Sequence, residues 1–349
     1  MHTPARLAAY SVILATTFIL VGCSTTPATE PADSASPQSD GSFTLYSGRD
    51  EELVQPLIDM FEVATGIEVE VRYGNTAELG ALLLEEGDQT PAQVFLSQDA
   101  GALGALSNAG LFATLPKAVT DAVPAGFTST DGSWVGVTGR ARVIVYDGQK
   151  FAEDEVPTSV DAFTDPAWAG RFGIAPTNAS FQSFVTAYRV LKGEDAAEEW
   201  LTAIAANSPQ IFENNRAILA AVNDGVIDAG LINHYYWFAQ AAETGAENMR
   251  AQLSYPEAGD PGSMVNVTGA GILAPGAVDA DALEFVKFLV SADAQQYFVT
   301  ETFEYPLIEG VDAPAGLPSI ASLANPELDL SDLESLAITQ DLLAKHGLI

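Results

Sequence analysis

The hydrophobic and polar positions of this chain fall into short runs whose period switches repeatedly between two and nearly four. Phe43-Thr44-Leu45-Tyr46 predicts a strand. Leu53, Leu57 and Phe61, with Val54 and Ile58 beside them, then share one face of a helix that ends at Thr65-Gly66. Ile67 to Val71 alternates apolar and acidic residues, the pattern of a half-buried strand. Asn75-Thr76 caps a helix carrying Leu79, Leu82 and Leu83 that stops at Gly87. Gln93 to Leu96 predicts a third strand, and Ser97-Gln98-Asp99 turns into a helix with Leu103 and Leu106. This βαβαβα opening is the grammar of a mostly parallel sheet with helices on its faces.

Trp134–Thr138 and Arg142–Tyr146 predict two strands separated by Gly139-Arg140-Ala141. The pattern then restarts with a strand at Gly173–Pro176 and a helix opened by Thr177-Asn178-Ala179-Ser180. A second helix runs from Asp195 through Trp200 and Ile204, a short strand lies at Pro209–Phe212, and Asn214-Asn215 caps the helix of Ile218, Leu219 and Val222. Gly225 to Ile232 reads as a buried strand after turn residues; it stops at Asn233, and a helical segment follows. Met264–Val267 and Gly271–Leu273 predict strands, and 279–290, 292–300 and roughly 330–345 predict helices. No short fixed period repeats, which excludes a solenoid. The layout is two α/β lobes, with the chain crossing between them near Gly139 and again near Val265. Residues 43–140 form lobe 1, completed by about 265–312, and 141–264 form lobe 2, completed by about 313–349. Two hinged lobes enclose a cleft suited to trapping a ligand.

The amino-terminal stretch lies outside this pattern. Leu7 to Leu20 is apolar but too short to span a membrane, and it closes on Leu20-Val21-Gly22-Cys23, so residues 1–22 read as a secretory signal. Leu-Val-Gly-Cys resembles the bacterial lipobox, which makes Cys23 the lipidated first residue of the mature chain; the duller alternative is a free thiol in an ordinary signal. Cys23 is the only cysteine, so no disulfide forms within the chain. Residues 23–42 are rich in Ser, Thr, Pro, Ala and acids, a flexible tether beside the membrane. Removing the signal removes one arginine, leaving 13 Lys and Arg against 47 Asp and Glu, a formal charge of −34. So acidic a chain repels nucleic acid and is compatible with a cationic ligand.

The candidate chemistry sits at the end of the Ile232 strand. Leu231-Ile232-Asn233-His234-Tyr235-Tyr236-Trp237 places adjacent tyrosines at the carboxyl end of a strand, where open α/β sheets bind ligands. A phenol is normally neutral, but a hard, highly charged cation displaces its proton and takes the phenolate oxygen. Against this, aromatic runs are usually core packing.

Several separate stretches, taken together and in order, decide between these readings. They are Tyr46-Ser-Gly-Arg-Asp-Glu-Glu, Glu85-Glu-Gly-Asp-Gln-Thr-Pro-Ala-Gln-Val-Phe, Gly139-Arg-Ala-Arg-Val-Ile-Val-Tyr-Asp, Ala175-Pro-Thr-Asn-Ala-Ser-Phe, the tyrosine segment and Glu304-Tyr-Pro-Leu. Through them nearly the whole body resembles the ferric-ion-binding proteins that serve bacterial iron ABC transporters. The resemblance implies a two-lobed, type II periplasmic-binding-protein-like α/β fold, Fe³⁺ held by Tyr235 and Tyr236, and delivery to an ABC permease by a lipid-anchored, extracytoplasmic monomer. Ferric iron prefers oxygen donors, which suits phenolates and carboxylates. Where the family often has histidine this chain has Asp50, and where it has glutamate this chain has Gln98; Asp50 still offers an anionic oxygen, Gln98 only a carbonyl. The family's synergistic anion, phosphate or carbonate, would lie on Asn178, Ala179 and Ser180 at a helix amino terminus, with Asn215 and Asn233 donating and Arg140 adding positive charge. Branches that dispense with the anion use a tyrosine where this chain has Phe181.

Each assignment has a structural alternative. Asp50, Asn178 and Asn214 can be plain helix caps, Asp99 caps its own helix, Arg140 can pair with a carboxylate in the hinge, and His234 reads as structural. A rival ligand for the same fold is an organic cation, a phosphonate or another small anion. A secreted hydrolase is a further rival, but the chain has no Gly-x-Ser-x-Gly, no His-Glu-x-x-His and no Gly-rich phosphate loop. A triad would have to draw on His234 or His346.

Overall fold

The computed structural model describes residues 39–323 and 328–349. The signal segment, Cys23 and most of the tether lie outside the described residues. Among the described residues no helix is long and apolar enough to cross a membrane.

The first elements follow the periodicity closely: β1 (Ser42–Ser47), α1 (Glu51–Thr65), β2 (Glu68–Tyr73), α2 (Thr76–Glu86), β3 (Val94–Ser97), α3 (Ala100–Asn108) and a short α4 (Lys117–Thr120). Gly66 ends α1 at φ 76°, a left-handed conformation that a residue with a side chain resists. Asn75 caps α2 by accepting from the Ala77 N–H at 2.9 Å, and Asp99 caps α3 through the Gly101 N–H at 3.0 Å. β1 pairs in parallel with β2 on one side and β3 on the other.

β4 spans Val135–Asp147 without a break, which corrects the expectation of two strands. Gly139-Arg140-Ala141 stays extended because each residue is paired, opposite Val267, Asn266 and Val265 respectively. The strand changes partners instead of ending. Its first half pairs antiparallel with β9 (Val265–Ile272), itself one strand where two were expected, and with β10 (Tyr305–Pro306). Its second half pairs antiparallel with β7 (Ala229–Asn233) and β8 (Ala251–Ser254).

Between them lie β5 (Phe172–Ile174), α5 (Ala179–Lys192), α6 (Glu194–Ala206), β6 (Gln210–Ile211), α7 (Asn215–Asn223) and, directly after β7, α8 (His234–Thr244). β5 pairs in parallel with both β6 and β7. The sheet therefore runs β2-β1-β3-β9-β4-β7-β5-β6, with β4 as the strand common to both halves of a two-lobed α/β molecule. Neither β8 nor β10 is signalled by the hydrophobic pattern of the sequence.

Each half has its own aromatic core. Phe61 meets Phe285 at 5.1 Å and Phe288 at 5.4 Å between ring centroids, joining α1 to α9 (Ala280–Leu289). In the other half Trp200 packs on Phe184 at 5.6 Å and on Tyr188 at 5.2 Å, joining α5 to α6. After α9, α10 (Ala292–Tyr297) runs into a π-turn at Phe298–Thr302, and Phe303 takes φ 58°, unusual for a bulky side chain. This kink delivers Glu304 to the interior. After a short α11 (Ile320–Leu323), the expected last helix is a 3₁₀ turn at Leu330–Glu334 followed by α12 (Leu336–Lys345). Its attachment is polar: Thr186 and Thr339 bond at 2.7 Å, and Arg189 donates to the Ser335 carbonyl at 3.0 Å.

Candidate metal and anion site

The site assembles at strand and helix ends. Beyond β1, Gly48-Arg49-Asp50 enters α1; beyond β3 comes Gln98; beyond β5, Asn178 opens α5; Asn214 opens α7; and beyond β7, Tyr235 and Tyr236 occupy the first turn of α8. These ends line a cavity of about 680 Å³ bounded by Arg49, Asp50, Gln98, Asn178, Arg216 and Tyr236, among others. Ends of strands in an open α/β sheet expose unpaired backbone and side chains to one crevice, and that makes the crevice a binding place.

The two tyrosine rings stack against each other with centroids 4.2 Å apart and planes 31° apart. Both are largely buried, Tyr235 at 3% and Tyr236 at 9% exposure, and of the two it is Tyr236 that lines the cavity, with Tyr235 packed against it. Their flanks are fixed. Trp237 Nε1 donates to the Ala251 carbonyl at 2.7 Å. His234 accepts from the Ala141 N–H at 3.1 Å through Nδ1, and its Nε2 lies 2.9 Å from the Phe303 carbonyl. Burial pushes His234 down to about 4, which keeps it neutral, and both ring nitrogens are occupied by backbone. This is the structural role expected of it. The Tyr236 phenol titrates well above its ordinary value, first because of burial, then because of Tyr235 and Asp50 beside it. An unaided proton loss is therefore unfavourable there, and only a strong cation reverses the balance.

Two arginines that sequence reasoning passed over surround the phenols. Arg49 is buried in an ion pair with Glu304, which also accepts from Thr138, and its guanidinium carbon lies 6.0 Å from the Tyr235 ring centre. Burial opposes its charge, but Glu304, the two tyrosines and Asp50 outweigh that and hold the guanidinium above its ordinary range. Arg216 lies over the Tyr236 ring at 5.7 Å and reaches across the cleft to Glu52 at 3.9 Å.

Asp50 occupies the cap position of α1 yet makes no side-chain cap bond; it is exposed and faces the cavity. Gln98 also lines the cavity, its backbone N–H bonded to Thr76 Oγ1 at 3.1 Å. On the opposite wall, Asn178 Oδ1 accepts from the Ser180 N–H at 3.0 Å and from Ser180 Oγ at 2.6 Å, so Asn178 does cap α5. Asn214 caps α7 through the Ala217 N–H at 3.0 Å. Asn215 is buried with Nδ2 3.3 Å from both Asn178 Oδ1 and Ser180 Oγ. Ala179 and Ser180 open α5, whose amino terminus favours an anion, with the Ser180 N–H itself already donated to Asn178 Oδ1.

Arg140 does not join this group. It is buried at the junction of β4 and β9, donates to the Val267 carbonyl at 3.3 Å, and its charge acts on Asp99. The arginine beside Asn178, Ser180, Asn215 and Asn233 is Arg142. It stands opposite Asn233 in the β4–β7 ladder and donates to Ser180 Oγ at 3.2 Å, to Asn215 and Asn233 Oδ1 at 3.5 Å each, and to the Leu231 carbonyl at 3.0 Å. Burial pulls Arg142 down to about 9, against the opposing pull of Tyr236 and Tyr235.

The cleft is lined by the Tyr236 phenol, with Tyr235 stacked behind it, and by the carboxylates of Asp50, Glu51 and Glu52, beside Asn178 and Asn214 at helix amino termini. Among the described residues no cluster of three or more His, Cys, Asp or Glu side chains is placed to hold a metal. Oxygen chemistry of this kind suits a hard trivalent cation and not a soft one.

Comparison with known proteins agrees in extent and in kind. Residues 89–329 match the family of bacterial extracellular solute-binding proteins. The Fe(3+)-binding periplasmic protein of Serratia marcescens is 34% identical over 312 residues, covering 89% of this chain and 92% of that one. The major ferric iron-binding protein of Neisseria meningitidis serogroup B is 35% identical over 311 residues, covering 88% and 93%. The crystal structure of iron-bound HitA from Pseudomonas aeruginosa superposes with a TM-score of 0.83 at 34% identity, over 88% of this chain and 99% of that one. The chain therefore belongs to the bacterial extracellular solute-binding proteins, with the two-lobed α/β fold of the periplasmic members.

Proposed function

We propose that this protein captures ferric iron in the interlobe cleft, outside the cytoplasm, and delivers it to an ABC permease. Tyr235 and Tyr236 bind the metal as phenolates, Asp50 supplies a carboxylate from the facing lobe, and Gln98 offers a weaker carbonyl. Two phenolates and one carboxylate balance the charge of Fe³⁺ and leave coordination positions open. Phosphate or carbonate fills them, held by Asn178, Ala179 and Ser180 at the head of α5 with Asn215 and Asn233. Lipidation at Cys23 tethers the monomeric two-lobed body to the membrane.

The observation that carries this reading is the opposition of Tyr236 and the uncommitted Asp50 carboxylate across one cavity. The relatives named above, described as ferric iron-binding, support the choice of metal, and the same likeness makes this a transport binding protein instead of an enzyme. Because the phenols must lose protons, iron affinity falls as pH falls.

The test uses the soluble body from Phe43. Ferric citrate added to it yields a visible phenolate-to-iron absorption band with about one iron per chain. The double variant Tyr235→Phe/Tyr236→Phe loses both band and metal. A colourless, iron-free parent under these conditions refutes the assignment.

A further inference from the structure

The mouth of the cavity carries one pair of charges that neither the metal nor the anion assignment uses. Arg216 is the second residue of α7 and Glu52 the second residue of α1. The two helices belong to different halves of the molecule, α1 packing beside β2 and α7 beside β7. Both side chains are exposed and line the cavity, and Arg216 Nη1 lies 3.9 Å from Glu52 Oε2. Among the described residues no other ion pair joins two side chains of the cavity wall.

Two features tie Arg216 to the cleft and not to its own helix. A cation in the first turn of a helix is opposed by the helix dipole, which favours acids there, as it does Glu51 and Glu52 in α1. Arg216 therefore contributes nothing favourable to α7 by its position. Its guanidinium carbon also stands 5.7 Å over the Tyr236 ring, so a single side chain meets the phenol on its own wall and the carboxylate on the other. The second base lining the cavity, Arg49, is buried and committed to Glu304, which leaves Arg216 as the cation at the mouth. A contact between opposite walls exists only while the walls are close. It therefore favours the closed arrangement by its own free energy, and cargo lying inside leaves only once it has broken.

We propose that Arg216 is a positioning residue of the cleft mouth: resting on Tyr236 and reaching Glu52, it latches the two halves together and sets how fast the cargo leaves. This deepens the iron reading and rests on it for the identity of the cargo, while closure itself is measured without iron.

The soluble body from Phe43 contains no cysteine, so Val63→Cys on α1 and Val226→Cys after α7, both at exposed positions, accept a pair of spin labels. In the iron-free labelled protein, Arg216→Ala shifts the distance distribution to longer values. In the iron-loaded, unlabelled protein, excess EDTA is added and the decay of the visible band gives the release rate. Arg216→Ala releases iron about 5-fold faster than the parent and Glu52→Gln about 3-fold faster, the size expected of an exposed pair. The double variant releases no faster than Arg216→Ala alone, since the carboxylate has already lost its partner. Raising salt from about 0.05 M to about 0.5 M moves the parent towards the Arg216→Ala rate and leaves that variant unchanged. Arg216→Ala also keeps or raises the unfolding temperature, because it removes a cation from a helix amino terminus. A purely structural arginine would instead lower that temperature, with effects on release that add to those of Glu52→Gln and ignore salt, and that result overturns the proposal. Equal release rates in the parent and Arg216→Ala overturn it as well. If the parent takes up no iron, the iron reading fails by itself and the distances decide the latch: distributions that coincide in the parent and Arg216→Ala refute it.

Discussion

At the scale of single residues, the contrast between Asp50 and Asp99 separates binding from folding. Both occupy helix cap positions, and both offer a carboxylate to an adjoining turn. Asp99 is buried and accepts from the Gly101 N–H, so its side chain belongs to the fold of α3. Asp50 is exposed, makes no cap bond, and faces Tyr236 across the cavity. Asp50→Ala should therefore leave stability within about 0.5 kcal/mol of the parent, as at an ordinary surface position. Ferric affinity should fall by more than the roughly 10–100-fold that changes outside the ligand shell usually cost. Asp99→Ala should do the reverse, losing about 1 kcal/mol of stability from the missing cap. Urea unfolding alongside competitive iron titration measures both effects. An Asp50→Ala protein of lowered stability and undiminished iron affinity would return Asp50 to the role of a cap.

At the scale of elements, β4 decides where everything else lies. Its register shifts between Gly136 and Thr138, and a Cβ on Gly136 would sit 2.4 Å from the Phe127 carbonyl oxygen. That oxygen is backbone, so it cannot swing aside, and Gly136→Ala should cost about 1–3 kcal/mol in urea unfolding. The same strand marks where sequence reading succeeded and where it did not. Helices with an apolar face, such as α1 with Val54, Leu57, Ile58 and Phe61, are legible because one buried stripe sets their period. Gly139-Arg140-Ala141 looked like a break because glycine and arginine are poor strand residues in isolation. Pairing on the β9 side keeps them extended, and no local pattern reveals a partner more than a hundred residues away. Arg140 and Arg142 share one face of the strand, so alternation cannot tell them apart. Register does: Asn266 lies opposite the first, Asn233 opposite the second, and only the second reaches Ser180. The tyrosine pair stood out by following directly on a strand end, but by itself it read as core packing, and the ordered stretches resembling the ferric-ion-binding family turned the reading towards a metal. Arg49 was hidden because its partner, Glu304, arrives through a π-turn and a left-handed Phe303 that no sequence rule anticipates.

At the scale of the whole molecule, an excess of acid is carried on very few bases. The chain has 14 Lys and Arg against 47 Asp and Glu, so each basic residue that is buried or paired is a large share of the available positive charge. Three of them, Arg250, Lys150 and Arg171, gather at the end of β4 around Asp147 and Asp228, far along the strand from Arg142. The Asp147 side chain is fully enclosed; Arg250 donates to it at 2.8 Å and 2.6 Å, and the Gln149 N–H at 3.0 Å. Burial alone would raise the Asp147 carboxyl, but these donors and the charges of Arg250 and Lys150 hold it below the ordinary range, and Asp228 is held low in the same way. A carboxylate whose folded value is depressed contributes stability that is present above its unfolded value, near 4, and is lost as pH falls through the lower folded value. Asp99 and Asp260 act in the opposite sense, since burial raises both and protonation in acid relieves them. Acid unfolding is thus a contest between two low carboxyls, Asp147 and Asp228, and two raised ones, Asp99 at the head of α3 and Asp260. Asp147→Asn should lower stability at pH 7 by about 2 kcal/mol, the value of a charged hydrogen-bond set. The gap from the parent should narrow steadily between pH 4 and pH 2, where the parent loses the same interactions. Urea midpoints at these pH values measure it. A gap that stays constant down to pH 2 would mean that Asp147 acts through shape and not through charge, and that the basic residues at the end of β4 do not govern the acid limit of this molecule.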